Sequence, residues 1–146
     1  MEHLAILSKK RKLLGKILSG EKKIESRWYK FKRPPFDTIS QGDVIYFKES
    51  GCLVSAKAIV EKIITYENLT PQKIIEIIKK YGSSIGIDLR FSEEVRDKKL
   101  CILIFLSNPQ KIESFEINKT PNRSRAAGYH VKTHGELAGS YLDLGS

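Results

Sequence analysis

The stretch SGEKKIESRWYKFKRPP, residues 19–35, sets a Lys pair, a carboxylate, an Arg and two aromatics side by side and closes on a double proline. A solvated surface has no need of the Trp, and an apolar core rejects the charges. The combination reads as one wall of a nucleotide-sized pocket. Within it KKIESRWY reads as a strand, with Ile24, Ser26 and Trp28 on one face and Lys23, Glu25 and Arg27 on the other, because successive side chains alternate. KRPPFDTISQGD reads as a loop, since the residue before a proline is driven out of the helical region and Gly42-Asp43 marks a turn.

On the N-terminal side, LAILS reads as a short strand and Ser8 as the cap of a helix over 9–18. The apolar positions of that helix are Leu13, Leu14, Ile17 and Leu18. Its other face is Lys9, Lys10, Arg11, Lys12 and Lys16, and Gly20 is placed to stop it. On the C-terminal side VIYFKES and LVSAKAIVEKIITY read as strands, the second alternating at Val54, Ala56, Ala58 and Val60. A second helix starts at Thr70 as cap and Pro71 as first residue. It carries an apolar stripe of Ile74, Ile75, Ile77, Ile78 and Tyr81, and Gly82 ends it.

KLCILIFL is apolar throughout and predicts a central strand covered on both faces. KIESFEI is expected to return across Asn108-Pro109 as its antiparallel partner, and SSIGIDLRFSEEVRDKK reads as an insertion loop. Strands joined by short turns with two main helices predict an α+β fold: a small closed or nearly closed, mostly antiparallel β-barrel over residues 1–117. Residues 118–146 form an extension packing on that domain or trailing from it, with one short strand at Ala127–Val131.

A chain of 146 residues fits a single domain. No apolar run approaches the roughly 20 residues that span a bilayer, and MEHLAILSKKRK puts its charges after its apolar residues, the wrong order for a signal peptide. Cys52 and Cys101 are too few and too isolated for a disulfide framework or a zinc site. A cytoplasmic protein without membrane contact is expected. The net charge is +9, and residues 1–36 hold 11 Lys and Arg against 3 Asp and Glu, while the rest of the chain is close to balance. A concentrated basic region suits a polyanion, because each neutralised phosphate releases counterions. It also suits a solvated basic face or an acidic protein partner.

GEKKIESR fits the pattern Gly-x-Lys-x-x-Glu-x-Arg at Gly20, Lys22, Glu25 and Arg27. With the GD turn at Gly42-Asp43 and the later LTPQKIIEIIKKYG helix, residues 3–117 resemble an ASCH domain, a member of the PUA-like superfamily. The resemblance implies a small β-barrel with a cleft beside the motif and an RNA-related role. Relatives include presumed RNA-binding modules, bacterial acetylcytidine amidohydrolases and a ribonuclease. It narrows the ligand class, RNA or a modified nucleotide, more than the reaction.

The candidate ligand-binding residues are Lys22, Glu25, Arg27, Tyr29, Lys48, Glu49 and Ser50. Glu25 and Arg27 share a face, where an Arg fork holds a phosphate or a carboxylate; the alternative is a fixed ion pair between the two. Lys22 has the other parity and reaches that face through a bend. Tyr29 offers a stacking surface, whereas Trp28 shares its face with Ile24 and reads as core. Lys48, Glu49 and Ser50 end a strand, where a barrel's loops line its mouth.

For catalysis the candidates are Lys22 and Glu25, with Glu49 in reserve, which makes a small metal-independent hydrolase the alternative to a binding module. In the amidohydrolases a Thr stands at the position matching Glu25 and works with the motif Lys and a later Glu. Here the Thr is absent and Glu76, which lies near that later Glu, is on a helix, so that mechanism is not expected to transfer. His130 and His134 stand four apart without a third ligand, so neither a metal nor a cofactor is expected.

Overall fold

The computed structural model describes residues 1–32, 36, 38–118, 130–131 and 139–143, with 117–118, 130–131 and 139–143 as backbone alone. The centre is β5 (Leu100–Phe115), because its first half is apolar on both sides. Leu100, Ile102, Ile104 and Leu106 face one core layer; Cys101 and Leu103 face the other. It pairs antiparallel with β2 (Ile24–Tyr29) and with β4 (Val54–Tyr66). Next come β3 (Val44–Glu49), antiparallel to β4, then β1 (Glu2–Leu7), parallel to β3, and β8 (Gly139–Asp143), parallel to β1. A two-residue pairing of β6 (Ile117–Asn118) with β7 (His130–Val131) stands apart.

The fold is α+β, as expected, but the sheet is mixed and its order, β2-β5-β4-β3-β1-β8, leaves β2 and β8 as edges. Among the described residues the sheet does not close into the barrel expected from the strands. At the free edge of β2 the carbonyl of Ile24 accepts a hydrogen bond from the Lys22 ammonium rather than from another strand. Two helices cover the two faces. On one, α1 (Leu13–Ser19) places Leu13 and Ile17 in the layer that holds Tyr29 and Phe47. On the other, α2 (Pro71–Ile85) buries Ile74, Ile77 and Ile78 against Ile24 and Leu103.

Four local expectations are corrected. The first helix starts at Leu13, not at Lys9: Lys12 is left-handed (φ 54), which stops the helix from extending upstream, and Ser8 caps nothing. Lys9, Lys10 and Lys12 therefore sit exposed in a turn. Gly82 does not end α2. A Cβ there would lie 2.9 Å from the Ile87 carbonyl oxygen, so the glycine permits a close backbone contact while Gly86 (φ 91) caps the helix. The segment read as an insertion loop holds the last turn of α2 and a short α3 (Phe91–Glu94). Finally, β5 does not turn back at Asn108-Pro109. Asn108 is left-handed, and the register against β4 shifts between Lys57 and Ile59. A bulge absorbs the proline's missing N–H and the strand continues.

Candidate functional site

A cleft of about 270 Å³ lies along the free edge of β2, and Lys22, Glu25, Arg27, Trp28, Ile87 and Phe91 are among its lining residues. Its anchor is Lys22. The chain leaves α1 through Gly20, whose left-handed backbone (φ 83) makes the turn, and the Lys22 N–H donates to the Lys16 carbonyl at 2.9 Å. The side chain then runs inward and is 5% exposed. Its ammonium donates to the carbonyls of Ile24, at 2.9 Å, and of Ile85. Ile85 is the last residue of α2, so a buried cation meets the carbonyl end of a helix, where a positive charge is favoured. This contact also brings the start of β2 onto the end of α2, helped by the Lys23 N–H donating to the Ser84 carbonyl at 2.8 Å.

Glu25 is 2% exposed, and its Oε1 lies 3.3 Å from the Lys22 ammonium. That distance makes an ion pair, and among the described residues Oε1 accepts no hydrogen bond of good geometry. Burial pushes the Glu25 carboxyl above the usual range, against the opposing pull of Lys22, Arg27 and Arg11. A buried carboxylate oxygen without a donor is costly. An incoming N–H or O–H group would satisfy it.

Arg27 shares the Glu25 face but does not pair with it. Its Nε–H donates to the Tyr29 hydroxyl at 3.1 Å and its guanidinium lies 5.7 Å from the Tyr29 ring centroid. The fixed Glu25–Arg27 ion pair is therefore not the arrangement; Lys22 takes that place. The Nη groups of Arg27 make no hydrogen bond among the described residues and are available to the cleft. Tyr29 is corrected from an exposed contact to a core residue, 3% exposed and packed in the α1 layer; it steers Arg27 instead. Trp28 packs with the α2 layer, yet it is only half-buried and lines the cleft. Its indole N–H donates to Ser26 Oγ at 3.0 Å, and its ring meets Phe91 at 6.1 Å between centroids. The two rings form an apolar part of the lining.

Of the expected site residues, Lys22, Glu25 and Arg27 come together. Lys48, Glu49 and Ser50, at the end of β3, line neither this cleft nor the larger cavity next to it. Glu76 is in an exposed ion pair with Lys73 on α2. Lys30 and Lys32 are in exposed pairs with Asp97 and Glu67. Arg33, the NRSR run and His134 lie outside the described residues, and His130 is in β7. Residue patterns missed Phe91, Glu94 and Val95 as cleft walls. The available signal was the spacing of Ile87, Phe91 and Val95, four residues apart, which marks one packed side in a segment otherwise polar.

No protein-family model and no curated protein matches the sequence. Among solved structures the chain is similar to the crystal structure of ASCH from Zymomonas mobilis. The TM-score is 0.60 at 16% identity, covering 79% of this chain and 73% of that one. A tyrosine-to-phenylalanine variant of the same protein matches with a TM-score of 0.60, also at 16% identity, over 79% and 75% of the two chains. Identity this low speaks for the fold alone, and the fold is that of an ASCH domain.

Proposed function

We propose that this ASCH-fold chain binds RNA, or a modified nucleotide within it, with one base in the cleft on β2. The observation that carries the reading is the buried Glu25 Oε1 without a donor, beside the open fork of Arg27. A nucleobase brings N–H donors on its pairing edge, which a carboxylate accepts, and its flanking phosphate suits an Arg. Trp28 and Phe91 supply the apolar contact that a base face needs. The volume fits as well, since about 270 Å³ lies just under the roughly 300 Å³ at which clefts for larger ligands begin. Lys22 serves this site by holding Glu25 and the end of α2 in place.

The test is anisotropy of a short labelled single-stranded RNA with wild type and Arg27→Ala between about 50 and 200 mM salt. Arg27→Ala is expected to weaken binding at least tenfold, about 1.4 kcal/mol. An equal loss with Lys12→Ala, in the exposed turn, would remove the cleft from the account.

One observation favours a second reading, a metal-independent hydrolase of a modified nucleoside or RNA. Glu25 is a buried carboxyl, raised by that burial and set in a cleft, which is how a general acid is prepared. Lys22 is less suited to serve as base or nucleophile, because two carbonyls and a carboxylate surround its ammonium. Turnover of an acylated nucleoside or an RNA, lost in Glu25→Gln, would establish this reading. Silence across a broad panel of such substrates would leave binding alone.

A further inference from the structure

The cleft is not isolated. A second cavity of about 840 Å³ adjoins it, and Arg11, Ile87, Phe91 and Glu94 line both. The two are one continuous depression, wide and shallow outside and narrowing inward to Glu25. Its outer part runs between α1, which contributes Lys16, and the turn after α2, which contributes Arg90. None of the ion pairs among the described residues uses Lys16 or its exposed neighbours Lys9, Lys10 and Lys12. The acids are few. Asp88 is held by Arg90, Nη2 to Oδ2 at 2.7 Å and Nε to Oδ2 at 3.1 Å. That leaves Glu94 as the carboxylate standing alone at the junction.

We propose that this outer groove is a track for the phosphodiester backbone of single-stranded RNA, leading a neighbouring nucleotide into the cleft. The proposal rests on the base-cleft reading for what lies at its inner end. Three features point to a strand rather than to a compact ligand. The groove is about three times the volume of the cleft, so it holds more than one nucleotide. Its net positive charge is spread out, Arg11 at the junction and Lys16 outside, while Arg90 and Asp88 offset each other. The exposed Lys9, Lys10 and Lys12, just before α1, extend the positive charge beyond its rim. Phosphates then pass on the Arg11 and Lys16 side, away from Glu94, and Glu94→Gln should tighten the complex.

The experiment compares the four nucleoside 5′-monophosphates with a labelled mixed-sequence RNA of about eight nucleotides, within the reach of one small domain. Wild type should bind the longer RNA at least tenfold more tightly than any mononucleotide at about 50 mM salt. Lys16→Ala should lower the slope of log K against log salt by about 0.7, the value for one phosphate of a single strand. It should leave mononucleotide binding unchanged, and Lys111→Ala, exposed far along β5, should change neither. Equal affinity for short and long ligands, or a slope in Lys16→Ala that matches Lys111→Ala, would overturn the track. A longer RNA that binds with these slopes while no mononucleotide binds at all would keep the track and overturn the base cleft. Failure of every RNA to bind would overturn both.

Discussion

Asp43 and Glu25 are both buried carboxylates next to a basic group, and the fold treats them in opposite ways. Asp43, in the turn after Gly42, has every oxygen engaged. Its Oδ2 accepts from the Ser40 N–H at 2.9 Å and from His3 Nε2 at 2.8 Å, and its Oδ1 lies 3.0 Å from the Met1 amine. Burial acts to raise this carboxyl, but the donors outweigh it and hold it below the usual range. Glu25 has a cation within 3.3 Å and no hydrogen bond at Oε1, and burial wins. A satisfied cluster is closed and fastens β1 beside β3. An unsatisfied one at the floor of a cleft keeps an acceptor to spare, which is why the proposed site is built on Glu25.

The largest effect tests what anchors the open cluster. Lys22→Met removes the cation from the end of α2 and leaves the Ile24 and Ile85 carbonyls and Glu25 without it. A loss of about 3–5 kcal/mol is expected, read as a lower urea midpoint at unchanged slope. Adding Glu25→Gln should recover part of it, since the acid then carries no buried charge. Full stability in Lys22→Met alone would make the lysine a ligand contact rather than an anchor.

The closed cluster gives the next effect. Asp43→Ala strips His3 and the Ser40 N–H of their acceptor, a loss of about 1–3 kcal/mol. It also has a pH signature. Burial first, against the pull of Asp43, lowers the His3 pKa below its ordinary 6.5. The unfolded chain therefore binds more protons than the folded one just below that pH, so stability falls as pH drops from about 6.5. Thermal melts of His3→Gln should lack this acid limb. An identical limb in both proteins would remove His3 as its source.

Much of this contrast was legible in the sequence, and the misses have physical causes. Alternation in 54–60 and the unbroken apolar run at 100–106 reported burial directly. In 24–28 the strand was legible but its buried residues were not, since Glu25 is buried and Trp28 is only half-buried. Thr70-Pro71 marked the start of α2, where the Thr70 side chain accepts from the Lys73 N–H. What failed was decided by contacts between distant residues. Gly82 looks like a stop until the Ile87 carbonyl packs on it. Asn108-Pro109 looks like a turn until β4 supplies a bulge to hold it. Tyr29 looked exposed because it comes directly after a charged motif, yet its strand partner Leu100 lies in the core with it. For the site, the spacing from Lys22 to Arg27 was informative, but no spacing says that the ammonium turns to Ile85, 63 residues away.

The smallest effect is the sharpest test, because its sign separates the two clusters. Glu25→Gln keeps the shape of the neutral acid and cannot ionise. Since burial raises the folded-state pKa of Glu25 above its ordinary 4.5, wild type has its full share of stability from this group below about pH 4.5. It loses that share as pH rises through the folded value. The variant should match wild type in acid and exceed it at neutral pH by a small amount, on the order of 1 kcal/mol, while binding RNA more weakly. Stability lost and function kept would make Glu25 a second Asp43, a structural carboxylate whose ion pair with Lys22 outweighs its burial. Stability gained and binding lost is the expected result if the fold leaves this oxygen unpaired for a ligand, because a group kept only for stability would not be kept in its less stable form.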